Sequence, residues 1–118
     1  QMCIRDRSYC AETNALKLLA EGDHRSATTA GQDFVYSAPV TLIFAVNQAK
    51  TERISGGRAG AICQSVDVGV MVQNALLACS AMGLAAVPRA WFEPQTVLQA
   101  LGLTSYDPQM AVTVGFPK

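Results

Sequence analysis

Residues 78–92, Ala-Cys-Ser-Ala-Met-Gly-Leu-Ala-Ala-Val-Pro-Arg-Ala-Trp-Phe, constrain the fold more than any other stretch. They read as the end of a buried helix, a glycine stop, a short apolar strand and a proline turn that exposes backbone. The helix covers roughly residues 61–82. Its first part carries Gln64, Ser65 and Asp67, and after Asp67 it is apolar almost all round, which predicts burial on every side. Gly83 stops it, residues 84–87 form the strand, and the turn follows at Pro88.

The rest of the chain supplies a sheet for that helix. Residues 40–46, Val-Thr-Leu-Ile-Phe-Ala-Val, are β-branched and apolar on both faces, as in a central strand. Residues 110–114 form a last strand, opened by a turn at Asp107-Pro108 and closed by Gly115 and Pro117. These two and residues 84–87 are expected in one sheet. Upstream, residues 8–19 read as a hairpin turning on Glu12-Thr13-Asn14. Asp23 can cap a short helix over residues 25–29, and another fits residues 32–36. Residues 47–58 are polar, end in Gly56-Gly57 and read as a mobile loop. Glu93-Pro94 starts a helix with Leu98 and Leu101 inward, and Gly102 ends it. The fold class is α+β, with helices covering a sheet, in one domain.

Composition removes several function classes. Half of the 118 residues are hydrophobic and 15% are charged, too core-rich for a disordered chain. Nine basic residues balance nine acidic ones without a basic cluster, so the patch that nucleic-acid binding needs is missing. Cys3, Cys10, Cys63 and Cys79 follow no metal spacing and suggest no disulfide framework. Residues 68–88 are long enough to span a membrane, but Gln73-Asn74 interrupts them and Gly83 breaks them, so a core helix is the better reading. The first seven residues, Gln-Met-Cys-Ile-Arg-Asp-Arg, show no periodicity and no signal-peptide pattern, and read as a non-native leader.

The side chains offer little catalytic apparatus. Gly56-Gly57-Arg58-Ala59-Gly60 precedes a helix, but with no strand directly before it this is a hinge rather than a phosphate loop. His24 is the only histidine, reads as a surface residue, and has no nearby nucleophile motif. Ser37-Ala38-Pro39 has no base within reach in sequence, Asp67 reads as a polar contact at the helix start, and no carboxylate pair has glycosidase spacing. Such a chain fits chemistry carried by a cofactor, for which the protein supplies binding, orientation and electrostatics. Backbone N–H groups at a turn can do that.

Asp67 followed by Gln73-Asn74, the apolar helix ending Met82-Gly83-Leu84, the Pro88 turn and the last strand ending Gly115-Phe116-Pro117 together resemble the nitroreductase family of FMN-dependent oxidoreductases. Leu16-Lys17, Gly22-Asp23-His24-Arg25 and Gly31-Gln32-Asp33-Phe34-Val35 further resemble its SagB-type, or thiazole/oxazole-dehydrogenase-like, group. The resemblance implies a cytoplasmic homodimer holding two FMN molecules at the subunit interface, with NAD(P)H as co-substrate. Pro88 and Arg89 would line the flavin, the N–H groups of Ala90 and Trp91 would face N5, and Lys118 would pair with the phosphate. Many members have an acidic residue and a glycine where this chain has Ala90 and Trp91; a backbone contact survives the loss of the acidic side chain, and Trp91 is the larger departure. Residues 8–118 are expected to be the C-terminal part of one such domain, lacking an amino-terminal arginine/serine segment that grips FMN in the family. A nitroaromatic, a quinone or a similar acceptor would take the electrons. The alternatives are an FMN-dependent azoline-ring dehydrogenase and a non-catalytic interaction module.

Overall fold

Residues 111–114 lie at the centre of the main sheet, in a strand buried from both sides. The computed structural model describes residues 5–51 and 56–118. A hairpin of β1 (Arg5–Cys10) and β2 (Ala15–Glu21) comes first, followed by 3-10 helices at Arg25–Thr28 and Asp33–Tyr36. The chain continues through β3 (Val40–Asn47), the short α1 (Gln48–Thr51), the long α2 (Gly57–Ala81), β4 (Ala85–Arg89), α3 (Pro94–Leu101) and β5 (Tyr106–Gly115). The main sheet has the order β3-β5-β4, with both pairs antiparallel. The three expected strands therefore share one sheet, in an α+β fold with one long helix.

Side-chain alternation along β5 gives the sheet two packed faces. Val112 and Val114 meet Val68, Val72 and Cys79 of α2, together with Val46 of β3. Ala111 joins Phe92 and Val97 on the other face, with Ile43 and Leu101 against them. Val97 is thus the buried anchor of α3. Leu101 packs beside it as expected, and Leu98 is only half-buried.

The punctuation residues act as their chemistry dictates. Gly83 takes a left-handed φ of 70° as α2 ends, and Leu84 N–H donates back to the Cys79 carbonyl at 2.8 Å. Gly102 closes α3 in the same way at φ 63°. In the hairpin turn, Asn14 is left-handed and accepts a hydrogen bond from the Tyr9 hydroxyl at 3.0 Å. The N-cap of the first 3-10 helix is His24, which makes no side-chain cap, and the expected Asp23 acts from one position earlier, its Oδ1 accepting the Arg25 N–H at 3.1 Å. The Asp23 carboxyl is held down at about 2, chiefly by the side-chain hydrogen bond from Arg25.

Four expectations are corrected. First, α2 buries Gly60, Val68, Val72 and Cys79 only. Ile62, Val66, Val70, Met71 and Leu77 are 46% to 58% exposed, because one sheet can cover only one stripe of a helix. Second, Asp107 and Pro108 do not turn the chain. They lie within β5, opposite Val46 and Ala45, where a bulge breaks the register beside a proline that has no N–H to give the ladder. Third, Pro88 also lies within a strand. β4 is an edge strand, which tolerates a missing N–H. Fourth, residues 48–51 of the expected loop form α1, while residues 52–55 lie outside the described residues, as does Cys3. Arg5, Asp6 and Arg7, from the segment read as a leader, pair with β2.

Candidate functional site

β4 ends in a backbone segment held between two buried anchors. Arg89 is 4% exposed and Phe92 lies in the core beside Val97 and Ala111, whereas Ala90 and Trp91 between them are exposed, Trp91 by 70%. Phe92 N–H donates to the Ala90 carbonyl at 3.1 Å, which tightens the turn. The Trp91 carbonyl accepts the Ala30 N–H at 3.2 Å, tying the turn to the loop between the 3-10 helices. Among the described residues, the N–H groups of Ala90 and Trp91 meet no intrachain acceptor. Two donors therefore stand available to an acceptor from outside the chain.

Arg89 and Pro88 are adjacent in a strand, so their side chains stand on opposite faces of the sheet. Pro88 is exposed, whereas Arg89 turns beneath the turn. Its Nε donates to Thr113 Oγ1 at 2.8 Å and its Nη1 to the Thr28 carbonyl at 2.6 Å. The guanidinium carbon lies 6.0 Å from the centre of the Phe34 ring. Burial lowers the pKa of its guanidinium below the ordinary arginine value, because removal from solvent disfavours the charged form.

Lys118 is exposed and lies past Gly115, which pairs with Ala85 at the far end of β4. Four residue steps separate that level from Arg89, roughly 13 Å along the strand. The fold thus gathers Pro88, Arg89, Ala90 and Trp91 and sets Lys118 at the other end.

The remaining sequence candidates stand elsewhere. Gly57, left-handed at φ 71°, begins α2. Arg58, Ala61, Ile62, Ser65 and Val66 of that helix, none of them from the turn, line an open groove of about 480 Å3. Asp67 is exposed. His24 is not a free surface residue, since its Nδ1 contacts Asp6 Oδ2 and pins the hairpin to the first 3-10 helix. Sequence reasoning missed Thr28, Ala30 and Thr113. Thr113, a hydroxyl inside the apolar run of the last strand, was the one readable hint.

Two comparisons bear on this arrangement. The sequence pattern of the nitroreductase family matches residues 7–116. A protein of Ralstonia eutropha JMP134, provisionally assigned as a nitroreductase, superposes on 95% of the chain with a TM-score of 0.85 and 28% identity. NfrA2 of B. megaterium matches 80% of the chain at a TM-score of 0.70 and 22% identity, a likeness of fold. A nitroreductase family protein of Streptococcus pneumoniae TIGR4 also matches 80%, at 0.63 and 18%. The chain spans 53%, 44% and 66% of the lengths of these three proteins. None of the curated proteins matches it.

Proposed function

The chain belongs to the nitroreductase family, and from that membership we propose that it is part of an FMN-dependent oxidoreductase. The observation that carries this reading is the turn itself: two N–H donors of exposed residues, without acceptors among the described residues, fixed between the buried Arg89 and Phe92. Donors of this kind fit the electron-rich edge of a flavin ring. The chemistry supplied by bound FMN is acceptance of a hydride at N5 from NAD(P)H and its transfer to a nitroaromatic, a quinone or a similar acceptor.

The chain's own residues bind and orient. Ala90 and Trp91 donate backbone hydrogen bonds that strengthen as negative charge develops on their acceptor, a fixed electrostatic contribution. Pro88 and the Trp91 indole offer exposed apolar surface beside those donors. Arg89 adds a buried positive charge under the same backbone. Lys118 supplies a point charge for a phosphate at the opposite end of the site, and an elongated mononucleotide suits that separation.

A second copy of the chain would cover the uncovered side of α2. Its exposed Ile62, Val66, Val70, Met71 and Leu77 are an apolar set of the kind that marks an interface. α2 is also long and apolar enough to cross a membrane, by length and composition. Its packing on the sheet through Val68, Val72 and Cys79 favours the partner-covered reading. The protein is expected to elute as a dimer. Glutamate at both Val66 and Val70 should weaken that dimer by at least about tenfold while leaving the fold intact. A monomeric wild type would contradict the interface.

Binding tests the cofactor reading. Protein expressed from its complete reading frame should bind FMN and show oxidised-flavin absorbance. Lys118→Ala should weaken FMN roughly tenfold, the cost of one charge-assisted phosphate contact, and leave riboflavin affinity unchanged. Equal affinities for FMN and riboflavin in the wild type would dismiss the lysine's role. Absence of flavin binding would remove the oxidoreductase reading altogether.

A further inference from the structure

Arg89 combines deep burial with the lack of a counter-ion among the described residues. Among the described residues the ion pairs are Arg5–Glu21, His24–Asp6 and Arg25–Asp23, and no carboxylate meets Arg89. Burying a charge this way costs desolvation that an apolar side chain of similar volume avoids. What the apolar side chain lacks is the guanidinium's planar fork. That fork reaches two segments that are distant in sequence. It donates to the carbonyl of Thr28, 61 residues away, and to the hydroxyl of Thr113, 24 residues away. A longer contact of 3.5 Å runs to Thr28 Oγ1.

Two residues further on, the turn and the same loop meet again, through Ala30 N–H and the Trp91 carbonyl at 3.2 Å. Residues 28 and 30 thus hold residues 89 and 91, and Ala90 is suspended between two rungs. The loop's own carbonyl at residue 28 is buried, and without Arg89 it would lose its donor.

We propose that Arg89 is a positioning residue, whose buried guanidinium locks the Ala90–Trp91 backbone against the 28–30 loop and so sets where its two N–H donors point. This rests on the flavin reading for its functional meaning, but the locking itself is a property of the chain alone. Because the side chain faces away from Pro88, it acts through the backbone rather than by touching the ligand.

The test compares Arg89→Met, Arg89→Lys and Thr113→Val with the wild type. Amide hydrogen exchange is read at Ala30, which reports the rung, and at Val112, which reports the core. In Arg89→Met the Ala30 amide should exchange roughly tenfold faster, while Val112 changes by less than about twofold. Arg89→Lys should recover part of the Ala30 protection, since an ammonium can meet one acceptor but cannot fork. Thr113→Val should fall between wild type and Arg89→Met, and these two milder variants carry the test if Arg89→Met does not fold. FMN affinity should weaken in the same order. Parallel acceleration at Ala30 and Val112 would make Arg89 a contributor to global stability only and overturn the proposal. So would unchanged Ala30 protection, or lost Ala30 protection with unchanged FMN affinity. If the wild type binds no FMN, the flavin reading fails, and the exchange at Ala30 still decides whether Arg89 locks the turn.

Discussion

Val112→Asp is expected to abolish the cooperative fold. Val112 is 0% exposed, sits in β5 between Leu42 of β3 and Pro88 of β4, and packs into the cluster beneath α2. Its neighbours in that cluster are apolar, so a carboxylate there finds neither a cation nor water. The unpaired buried charge costs several kcal/mol, and the lost valine burial adds about 2 kcal/mol. A domain's whole stability is only about 5–15 kcal/mol. Far-UV circular dichroism should therefore show no cooperative melt. Val112→Ala, which leaves a small cavity without a charge, should melt cooperatively with about 2 kcal/mol less stability. A native-like melt for Val112→Asp would mean that β5 is not the buried centre of the sheet.

Much of this architecture was legible because its signals are local. The strands at 40–46 and 110–114 declare themselves by apolar, β-branched residues, although the first lies at an edge of the sheet and not at its centre as its composition suggests, and Gly83 and Gly102 end helices through backbone freedom alone. What escaped depends on register or on partners. Pro88 and Pro108 look like turn residues in isolation. They sit inside strands because one lies on an edge and the other beside a bulge, facts set by β3 and β5 rather than by the prolines' neighbours. The apolar circumference of α2 predicts burial but names no cover, and the sheet takes only the stripe through Val68, Val72 and Cys79.

The candidate site divides along the same line. The order helix, glycine, strand, proline points to a turn at Pro88, and the structure makes that turn two residues later, at Ala90 and Trp91, once Pro88 and Arg89 have completed β4. The inward course of Arg89 has no such signal, since its acceptors come from Thr28 and Thr113, both far along the chain. Lys118 follows the last strand as expected, yet antiparallel pairing of β4 with β5 sets it at the end opposite the turn.

Ala90→Pro should lose most flavin affinity while keeping the fold. The Ala90 N–H meets no intrachain acceptor among the described residues, so removing it breaks no hydrogen bond of the folded chain. Arg89 before it is already extended, the conformation a following proline favours. The substitution therefore acts on the turn's donor and leaves the core at Val112 and Val97 untouched. Losing one donor to an electron-rich ring, together with a stiffened turn, should weaken binding by a factor of roughly ten to a hundred. Ala90→Gly keeps the donor and should bind within a few-fold of the wild type.

The only tryptophan of the chain, Trp91, stands beside that donor, so a titration with FMN followed by tryptophan fluorescence reads the site directly. The expected result is saturable quenching of Trp91 in the wild type and in Ala90→Gly, shifted to much higher FMN concentration in Ala90→Pro at unchanged thermal stability. Saturable FMN binding with no change at Trp91, or equal affinity in Ala90→Pro and the wild type, would contradict a flavin held at this turn.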